Sequence, residues 1–516
     1  MPELSILRAQ TVARRRRFST EAVIKGFFRS NALVAIVVLA LITIFLFREG
    51  VGFFGQNLSN LRLYRQAGLE YVDIMRAAAD QHSALSRQLN DIRVQEMRSQ
   101  HEGSSLEKFD QFANDFSNTG EALNGLVSDA NDQAVAVREA LVRSGSSFAV
   151  SSAEIDESAK EPGDSAASGE AKQQLAALRS NAAEFEKIGT SMATSIRDLL
   201  DAPPPLADAK VLKTFRQWEK DVRKYVARLP GTAEQLHAWD PNRPVPTYRA
   251  ITSFLFGTNW ITASFWQDWY GIIPLFVGSL MVAIAALVIA VPFGVFSAIY
   301  VSEVAGRGEK SLIKPYIEFI SAIPSVVLGF FGIAVVGEAI RTLSQFSWMK
   351  WVPFFPISER LNVFTAGALL ALMAVPTIFT LAEDALRNVP RGYKEASYAL
   401  GANRLQTIVR VLVPASLSGI ISAILLGLGR VIGETMVVLL CAGNRIAIPD
   451  FTQGLGAFFQ PVHTMTGIIA QEMGEVVRGS IHYRALFMVG LVLFGLTLGI
   501  NYGAQKLVSR YRMSIG

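Results

Sequence analysis

Two charged residues interrupt a long apolar stretch in the C-terminal part of the chain. Arg430 and Glu434 are the only charges between Val411 and Cys441. An arginine near the centre of a bilayer costs about 2.5 to 3.5 kcal/mol on insertion scales, so this pair needs compensation. Four residues apart on a helix, the two groups can neutralise each other. Alternatively, the Arg430 guanidinium lines a polar pathway and donates to an oxyanion, while Glu434 controls its availability.

The other reactive side chains suggest no catalytic site. A single cysteine, Cys441, builds neither an intrachain disulfide nor a thiolate metal site. No two histidines have the i, i+3 or i, i+4 spacing of a helical metal site, so all are interpreted as surface or packing residues. They are His82, His101, His237, His463 and His482. The sequence has no Gly-x-x-x-x-Gly-Lys-Ser/Thr loop, which predicts that this chain does not itself hydrolyse ATP and holds no cofactor.

The composition indicates a membrane protein with a soluble region. Half of the 516 residues are hydrophobic, and the mean hydropathy is +0.30. A membrane-spanning helix requires about 17 to 25 apolar residues, and six stretches qualify. They are Asn31 to Phe47, Gly271 to Ser302, Phe319 to Gly337, Leu361 to Ala382, Val411 to Gly429 continuing to about Cys441, and Ala485 to Gln505. Because no small-residue cleavage site follows the first stretch, it is interpreted as an uncleaved anchor rather than a signal peptide.

Lys and Arg are concentrated in the segments that six alternating spans would place on one side of the membrane. Cytoplasmic loops retain such residues, so both termini are predicted to be cytoplasmic and residues 48–270 extracytoplasmic. The basic residues are Arg8, Arg14 to Arg17, Lys25, Arg29, Arg307, Lys310, Lys314, Arg387, Arg391, Lys394, Arg404, Arg410, Lys506, Arg510 and Arg512. On the opposite side, aromatic residues that favour the membrane interface flank the span ends. They are Trp260, Trp266, Trp269, Tyr270, Trp348 and Trp351.

Residues 48–250 form a long insert with helical periodicity. Apolar residues recur at alternating spacings of three and four, which predicts helical hairpins or a short coiled-coil bundle. The runs are Leu61 to Ile92, Phe109 to Val137, Leu175 to Leu199 and Val211 to Tyr225. Ser144 to Gly169 has no period and is interpreted as a flexible loop, and Pro203 to Pro205 ends the third run. The insert is either a packed spacer or a docking surface for an extracytoplasmic partner.

A motif on the basic loop between the fourth and fifth spans indicates coupling to another protein. Its sequence predicts a short helix, a tight turn at Gly401, and a second helix that ends at Pro414 before the membrane. The motif resembles the EAA loop of ABC importer permeases, with Ser397 in place of the second alanine. The matching residues are Glu395, Ala396, Ser397, Gly401 and Pro414. In that family the loop, here residues 387–415, forms a coupling helix that fits a groove of a cytoplasmic ATPase.

The fifth span sharpens this resemblance. Gly427 to Met436, with Gly443-Asn444 beyond it, is similar to the corresponding helix of the PstC family of phosphate permeases. Ile289 to Gly294 and Ala322 to Gly329 support the likeness, which covers about residues 250–516 and the first anchor. The resemblance implies a substrate pathway lined by Arg430, Glu434, Thr435, Pro324 and Ser325.

The resemblance also implies an architecture and a set of partners. The expected fold is an all-α permease of the bacterial inner membrane, with six transmembrane helices and a long extracytoplasmic helical insert. Its expected parts are a basic cytoplasmic N-terminus (1–30), a first transmembrane helix (31–47), the insert (48–250) and a permease core (251–516). The implied partners are a homologous permease of the PstA type, two ATPase subunits of the PstB type that bind ATP, and a phosphate-binding protein of the PstS type.

Two other functions are compatible with parts of this pattern. A permease for molybdate or phosphonate would need the same architecture. A membrane sensor would place a helical bundle outside the membrane and report to a cytoplasmic output domain. Five further spans and only short cytoplasmic loops argue against the sensor.

Overall fold

The computed structural model describes residues 20–99, 103–143, 165–206, 209–262, 264, 266–349, 351–352 and 354–512. These residues form helices and loops, with a two-stranded antiparallel ribbon between the insert and the membrane region. Within the described ranges, six helices are long and apolar enough to cross a membrane, which is the predicted number. The predicted basic residues Arg8 and Arg14 to Arg17 lie outside the described residues.

The first helix, α1 (Thr20–Gln66), is longer than a single membrane crossing. Its 47 residues extend over about 70 Å, whereas a hydrocarbon core is about 30 Å thick. The predicted span of residues 31–47 therefore covers only part of α1. Most side chains from residue 24 to residue 47 are exposed, as expected of a lipid-facing anchor, whereas Phe53 and Tyr64 are buried. One helix thus connects the membrane to the insert without a break.

The described residues of the insert fold into a bundle of helices. These are α2 (Leu69–Ser99), α3 (Gly103–Asn118), α4 (Glu121–Arg143), α5 (Ser165–Asp201) and α6 (Ala209–His237), hereafter the bundle. Helix α2 packs against α3, α4 and α6, while α5 packs against α4 and α6. The predicted apolar runs supply the core, as the burial of Met75, Phe116, Phe185 and Tyr225 demonstrates. The hydrophobic periodicity therefore identified the buried face of each helix.

Turns divide two of the predicted runs, so each of these runs spans two helices. Gly68 turns the chain between α1 and α2 with a φ of 79°, a conformation that glycine adopts without a steric penalty. A turn at Thr119 and Gly120 separates α3 from α4. Helix α5 ends at Asp201, before the three prolines, as predicted. Of the predicted flexible loop, residues 144–164 lie outside the described residues and residues 165–169 are helical.

A short helix and the ribbon join the bundle to the membrane region. They are α7 (Thr247–Leu255), β1 (Trp260–Ile261) and β2 (Trp269–Tyr270). From α1, Asn57 Nδ2 donates to Ala250 O at 2.9 Å, and Asn60 Nδ2 donates to Asp268 O at 3.1 Å. These hydrogen bonds fasten α1 to both elements of the junction.

The aromatic residues of the ribbon pack inside this junction. Trp260 and Tyr270 are buried and pair across the strands, and the ring of Trp269 meets Tyr64 edge-on at 5.2 Å. Phe53 of α1 and Phe254 of α7 pack in the same cluster as Trp260 and Tyr270, so these two rings are covered by protein. The position of the ribbon at the membrane interface stays a prediction. Trp348 and Trp351 remain exposed, as expected for interfacial residues.

The membrane region contains the remaining helices. They are α8 (Ile273–Ile299), α9 (Arg307–Ser321), α10 (Ser325–Phe331), α11 (Gly337–Gln345), α12 (Val363–Arg387), α13 (Arg391–Ala399), α14 (Arg404–Thr407), α15 (Val413–Ile432), α16 (Met436–Cys441), α17 (Met465–Glu472) and α18 (Ile481–Arg512). Helix α12 packs against both α8 and α15, and α18 packs along α1 and α15. Helix α12 is thus the centre of this region.

The third span begins later than predicted. Phe319 belongs to α9, a separate amphipathic helix, and a break at Pro324 separates α9 from the span that starts at Ser325. The proline has an extended ψ of 138°, so it starts a new helix instead of continuing the old one. The span itself runs through a π-helical turn, Gly332–Val336, into α11.

Candidate translocation site and coupling loop

The motif in the coupling loop (residues 387–415) folds into the predicted helix and glycine turn. Glu395 and Ala396 lie on α13, and Gly401 reverses the chain with a φ of 82°. Asn403 then caps α14, because its side chain accepts the Gln406 N–H at 2.8 Å. Gln406 Oε1 accepts the Asn403 N–H at 3.0 Å in return, which completes a capping box.

Ser397 holds the two arms of the loop together. Its hydroxyl lies 2.9 Å from Thr407 Oγ1, and both residues are buried. Three apolar side chains of the loop are open, since Tyr398, Leu400 and Leu405 are 48%, 88% and 70% exposed. Exposed apolar side chains on a polar loop favour contact with another protein.

Pro414 does not end the second helix, contrary to the prediction. Helical structure runs from Arg404 through a π-helical turn, Ile408–Leu412, into α15, and Pro414 lies in the first turn of α15. A proline lacks an N–H and crowds the carbonyl group four residues earlier. The carbonyl in question is that of Arg410. It gains room because the π turn is wider than an α-helical turn, with the Val413 N–H donating to Ile408 O. The coupling loop therefore continues directly into the fifth span.

Arg430 and Glu434 do not form the pair that their spacing allows. Helix α15 ends at Ile432 and helical structure resumes at Met436, so the predicted continuous span is broken at Gly433 to Thr435. Glu434 Oε1 instead accepts the Met436 N–H at 3.1 Å. In the part of the chain that the structure describes, the Arg430 guanidinium is exposed and has no hydrogen bond or ion pair.

Comparison with known proteins identifies the family to which the chain belongs. Residues 290–500 match the model of the binding-protein-dependent transport system inner membrane component family. The probable ABC transporter permease protein YqgH of Bacillus subtilis is 36% identical over 241 residues, which are 46% of this chain and 72% of the relative. The phosphate transport system permease protein PstC of Pasteurella multocida is 31% identical over 272 residues, which are 51% of this chain and 82% of the relative. The chain belongs to this permease family.

The family assignment makes the chain a multi-pass permease subunit of an ABC importer and confirms the resemblance drawn from the sequence. A methionine ABC transporter solved in inward-facing conformations is 19% identical and covers 47% of this chain and 94% of its own, with a TM-score of 0.34. The family match contains every candidate site residue, from Pro324 to Thr435. The bundle lies outside it.

A segment between the fifth and sixth spans of the permease supports the break in α15, and little in its composition indicates this role. Thr466 Oγ1 donates to Glu434 O at 2.9 Å, and the Met465 N–H donates to Ser279 Oγ of α8 at 2.9 Å. His463, which was interpreted as a surface or packing residue, is buried with its Nε2 3.1 Å from Gln471 Oε1. The run His463-Thr464-Met465-Thr466 is polar and lies between spans, and this was its only signal.

The remaining pathway candidates of the permease lie on neighbouring helices. Ser325 starts α10 directly after Pro324, and Thr435 precedes α16. Helices α10 and α16 are in contact, since Cys441 Sγ donates to Gly329 O at 3.3 Å. Among the described residues, however, no hydrogen bond joins Ser325 to Arg430 or Glu434. The structure therefore places Ser325 and Thr435 at the starts of two helices that are in contact, α10 and α16.

Proposed function

We propose that the permease translocates inorganic phosphate, delivered by an extracytoplasmic binding protein. The observation that carries the proposal is that Arg430, beside the break in the fifth span, is exposed and has no hydrogen bond or ion pair with any residue that the structure describes. Such a charge is costly against lipid, so it needs water, a partner chain or an anion around it. Relatives named as phosphate transport permeases favour phosphate as that anion.

The geometry suits a transient oxyanion site. A guanidinium presents donors in a planar fork that matches two oxygens of a tetrahedral oxyanion. A pathway must bind its substrate weakly enough to release it, and a single arginine fulfils this condition better than a cage of donors. Glu434 lies close in sequence with one carboxylate oxygen engaged by a backbone N–H. Its negative charge would limit how long phosphate remains at Arg430.

The proposal includes the partners and orientation that the family implies. A second permease of the PstA type would cover the exposed face of α15, and two ATPase subunits of the PstB type, which bind the ATP, would bind the coupling loop. A binding protein of the PstS type would deliver phosphate on the opposite side. Both termini would lie in the cytoplasm of a bacterium, and the bundle would lie outside the inner membrane.

The test is uptake of radioactive phosphate by complexes purified with their native partners and reconstituted in vesicles. Arg430→Gln should nearly abolish uptake, and Arg430→Lys should impair it less, because lysine keeps the charge but loses the fork. Glu434→Gln should also slow transport, by prolonging phosphate binding. Arg216→Gln, an exposed arginine of the bundle, is the matched control and should transport normally.

Two outcomes would contradict the proposal. Normal phosphate uptake by the double variant Arg430→Gln, Glu434→Gln would place the pathway elsewhere. Uptake of molybdate or phosphonate in preference to phosphate by the wild-type complex would show that the proposed substrate is wrong, while the assignment as a permease would stand.

Coupling is tested at the glycine turn. Gly401 has a positive φ, and the position of its missing Cβ is open, so Gly401→Trp would strain the backbone and add bulk to the surface facing the ATPase. We expect the variant to reach the membrane but to lose transport-linked ATP hydrolysis. If ATP hydrolysis stays linked to transport in this variant, the assignment of residues 387–415 as the coupling loop is wrong.

A further inference from the structure

Glu303 connects both arms of the coupling loop to the second span. It lies in the π-helical turn Tyr300–Val304 that extends α8, and its side chain is 9% exposed. Lys394 Nζ, on α13, donates to Glu303 Oε1 at 2.7 Å. Arg404, the first residue of α14, donates through its Nη2 to the backbone carbonyl of Glu303. One residue therefore receives a side chain from each side of the glycine turn.

The local chemistry makes this a strong attachment. The last carbonyl groups of a helix have no partner within the helix, and Arg404 supplies one in the form of a charged donor. The Lys394–Glu303 pair is shielded from water on the carboxylate side, so it is screened less by salt than a surface pair. The π turn itself is a local distortion of the kind that often marks a functional site. We name the contacts of Glu303 with Lys394 and Arg404 the Glu303 clamp.

The other end of α8 contacts the segment that supports the candidate translocation site. Ser279 Oγ accepts the Met465 N–H at 2.9 Å. One residue away, a Cβ added to Gly278 would lie 2.1 Å from His463 O, so the two backbones are in close contact. The Thr466 hydroxyl in turn donates to Glu434 O at 2.9 Å. A continuous series of direct contacts thus runs from the coupling loop through α8 to Glu434.

We propose that the Glu303 clamp transmits the movement of the coupling loop to α8, and that α8 carries it to the break beside Arg430. Glu303 and Lys394 are positioning residues in this scheme, since neither touches the transported solute. The inference rests on the proposed coupling of this loop to an ATPase but not on the identity of the solute. Loss of the clamp should leave the loop able to bind the ATPase while α8 no longer follows it.

The membrane region contains a matched pair that lacks this connection. Glu383 of α12 is buried and accepts from Lys314 of α9 at 3.0 Å and from Arg387 at 3.4 Å. Lys314 is exposed to a similar extent as Lys394. Its pair joins α9 to α12, and among the described residues neither Lys314 nor Glu383 has a hydrogen bond or ion pair with α13 or α14. Lys314→Gln therefore tests the loss of a comparable ion pair without loss of the clamp.

The experiment uses the complex with its ATPase and permease partners, reconstituted in vesicles. ATP hydrolysis is measured alone and with the binding protein saturated with phosphate or, in parallel, with molybdate. The solute that stimulates the wild-type complex is then used for all variants, and solute transported per ATP is recorded. If molybdate stimulates and phosphate does not, the proposed substrate fails while the test of the clamp proceeds unchanged.

Glu303→Gln and Lys394→Gln should each lower solute transported per ATP by about 5-fold or more, at the lower end of typical coupling between sites. The amount of assembled complex should stay normal. The charge exchange Glu303→Lys with Lys394→Glu should restore part of the ratio, and Lys314→Gln should leave it unchanged. A purely structural pair would reduce the yield of complex and leave the ratio of the surviving complexes at the wild-type value. That result, or equal loss in Lys314→Gln, would overturn the proposal.

Discussion

The bundle and the membrane region are both helical, but different side chains hold them together. In the bundle, the ring of Trp218 lies 5.0 Å from Phe116, 5.2 Å from Phe215 and 6.0 Å from Phe112. In the membrane region, α8 and α12 meet at Ala285 and Gly367, where an added Cβ would lie only 2.6 Å from its neighbour. Large aromatic rings fill the core of the bundle, whereas the helices of the membrane region pack through close contact of their backbones.

The solvent accounts for this difference. In water, burial of apolar area stabilises a fold by about 25 cal/mol per Å², so large aromatic side chains are the most effective core residues. In lipid, apolar surface gains nothing from burial, and helices associate through close van der Waals contact between small residues. The bundle should therefore be sensitive to loss of volume and the membrane region to gain of volume.

The largest expected effect is that of added volume at the α8–α12 contact. Gly367→Leu would force these helices apart, because the backbone and Ala285 leave no space for a side chain. We expect loss of the folded permease, measured as detergent-stable protein by size-exclusion chromatography. Gly499→Leu on α18 is the control, since no described atom outside the adjacent backbone of α18 lies within 4 Å of its Cβ position. Equal tolerance of both variants would contradict the comparison.

Loss of volume in the bundle should come next. Trp218→Ala removes a buried ring and the hydrogen bond that its Nε1 donates to Leu85 O at 2.9 Å. A buried tryptophan or phenylalanine replaced by alanine costs about 3 to 5 kcal/mol. Hydrogen exchange of α2, α3 and α6 should accelerate accordingly, while exchange in α12 stays constant. Met97→Ala, at an exposed position of α2, should change the exchange rates little. Faster exchange in α12 of the Trp218→Ala variant would contradict the comparison, because it would show that the two cores unfold together.

A smaller effect is expected from protonation of His82. The ring is buried and stacked on Phe116 at 4.8 Å, and burial lowers the pKa of His82 because it disfavours the charged form. The pKa of His82 is therefore lower in the folded state than in the unfolded state. The contribution of neutral His82 to the free energy of unfolding is complete above the unfolded-state pKa and is lost as the pH falls through the folded-state pKa. The free energy of unfolding of the bundle should therefore decrease from pH 7.5 to 5.5.

The matched variant for this pH dependence is His82→Leu, which should flatten it. Burial raises the pKa of Asp73 in the same helix, so that carboxyl contributes with the opposite sign, and the two slopes must be separated. An unchanged slope in His82→Leu would assign the pH dependence to other groups.

The smallest effect on the membrane region should follow removal of the bundle. Arg65 Nη1 donates to Arg243 O at 3.1 Å, so the two ends of the bundle are close in space. A short Gly/Ser linker can therefore replace residues 67–240. The variant also needs Arg65→Gln, because Glu70, the ion-pair partner of Arg65, is removed with the bundle.

Membrane insertion and assembly with the ATPase should survive this replacement, as measured by co-purification. A replacement that begins at residue 56, within the predicted insert 48–250, should fail. It would remove Asn57 and Asn60, which fasten α1 to α7 and the ribbon. Failure of both versions would show that the membrane region depends on the bundle for its fold.

Local patterns predicted much of this fold. The run from Phe109 to Val137 identified buried faces because a helix repeats its contacts every three to four residues. The apolar stretches gave the number of spans, since a bilayer sets the length of a helix that crosses it. Gly401 and the residues around it gave the turn of the coupling loop, because glycine adopts a positive φ without strain.

Other features depended on partners that are distant in sequence. A spacing of four suggested an ion pair between Arg430 and Glu434, but α15 ends between them and Thr466, 32 residues away, binds the carbonyl of Glu434. The aromatic residues of the ribbon resembled an interfacial belt, yet α1 covers Trp260 and Tyr270.

The sequence by itself determined that this chain is a helical membrane permease with an inserted bundle, because composition, periodicity and a compact motif are local properties. Only the tertiary structure decided which groups meet. The Glu303 clamp joins residues that are 91 and 101 positions apart, and no local pattern marks Glu303 as a partner of the coupling loop. Contacts of this kind follow from how α8 and α12 pack, and that packing is set by the close approach of whole helices in lipid.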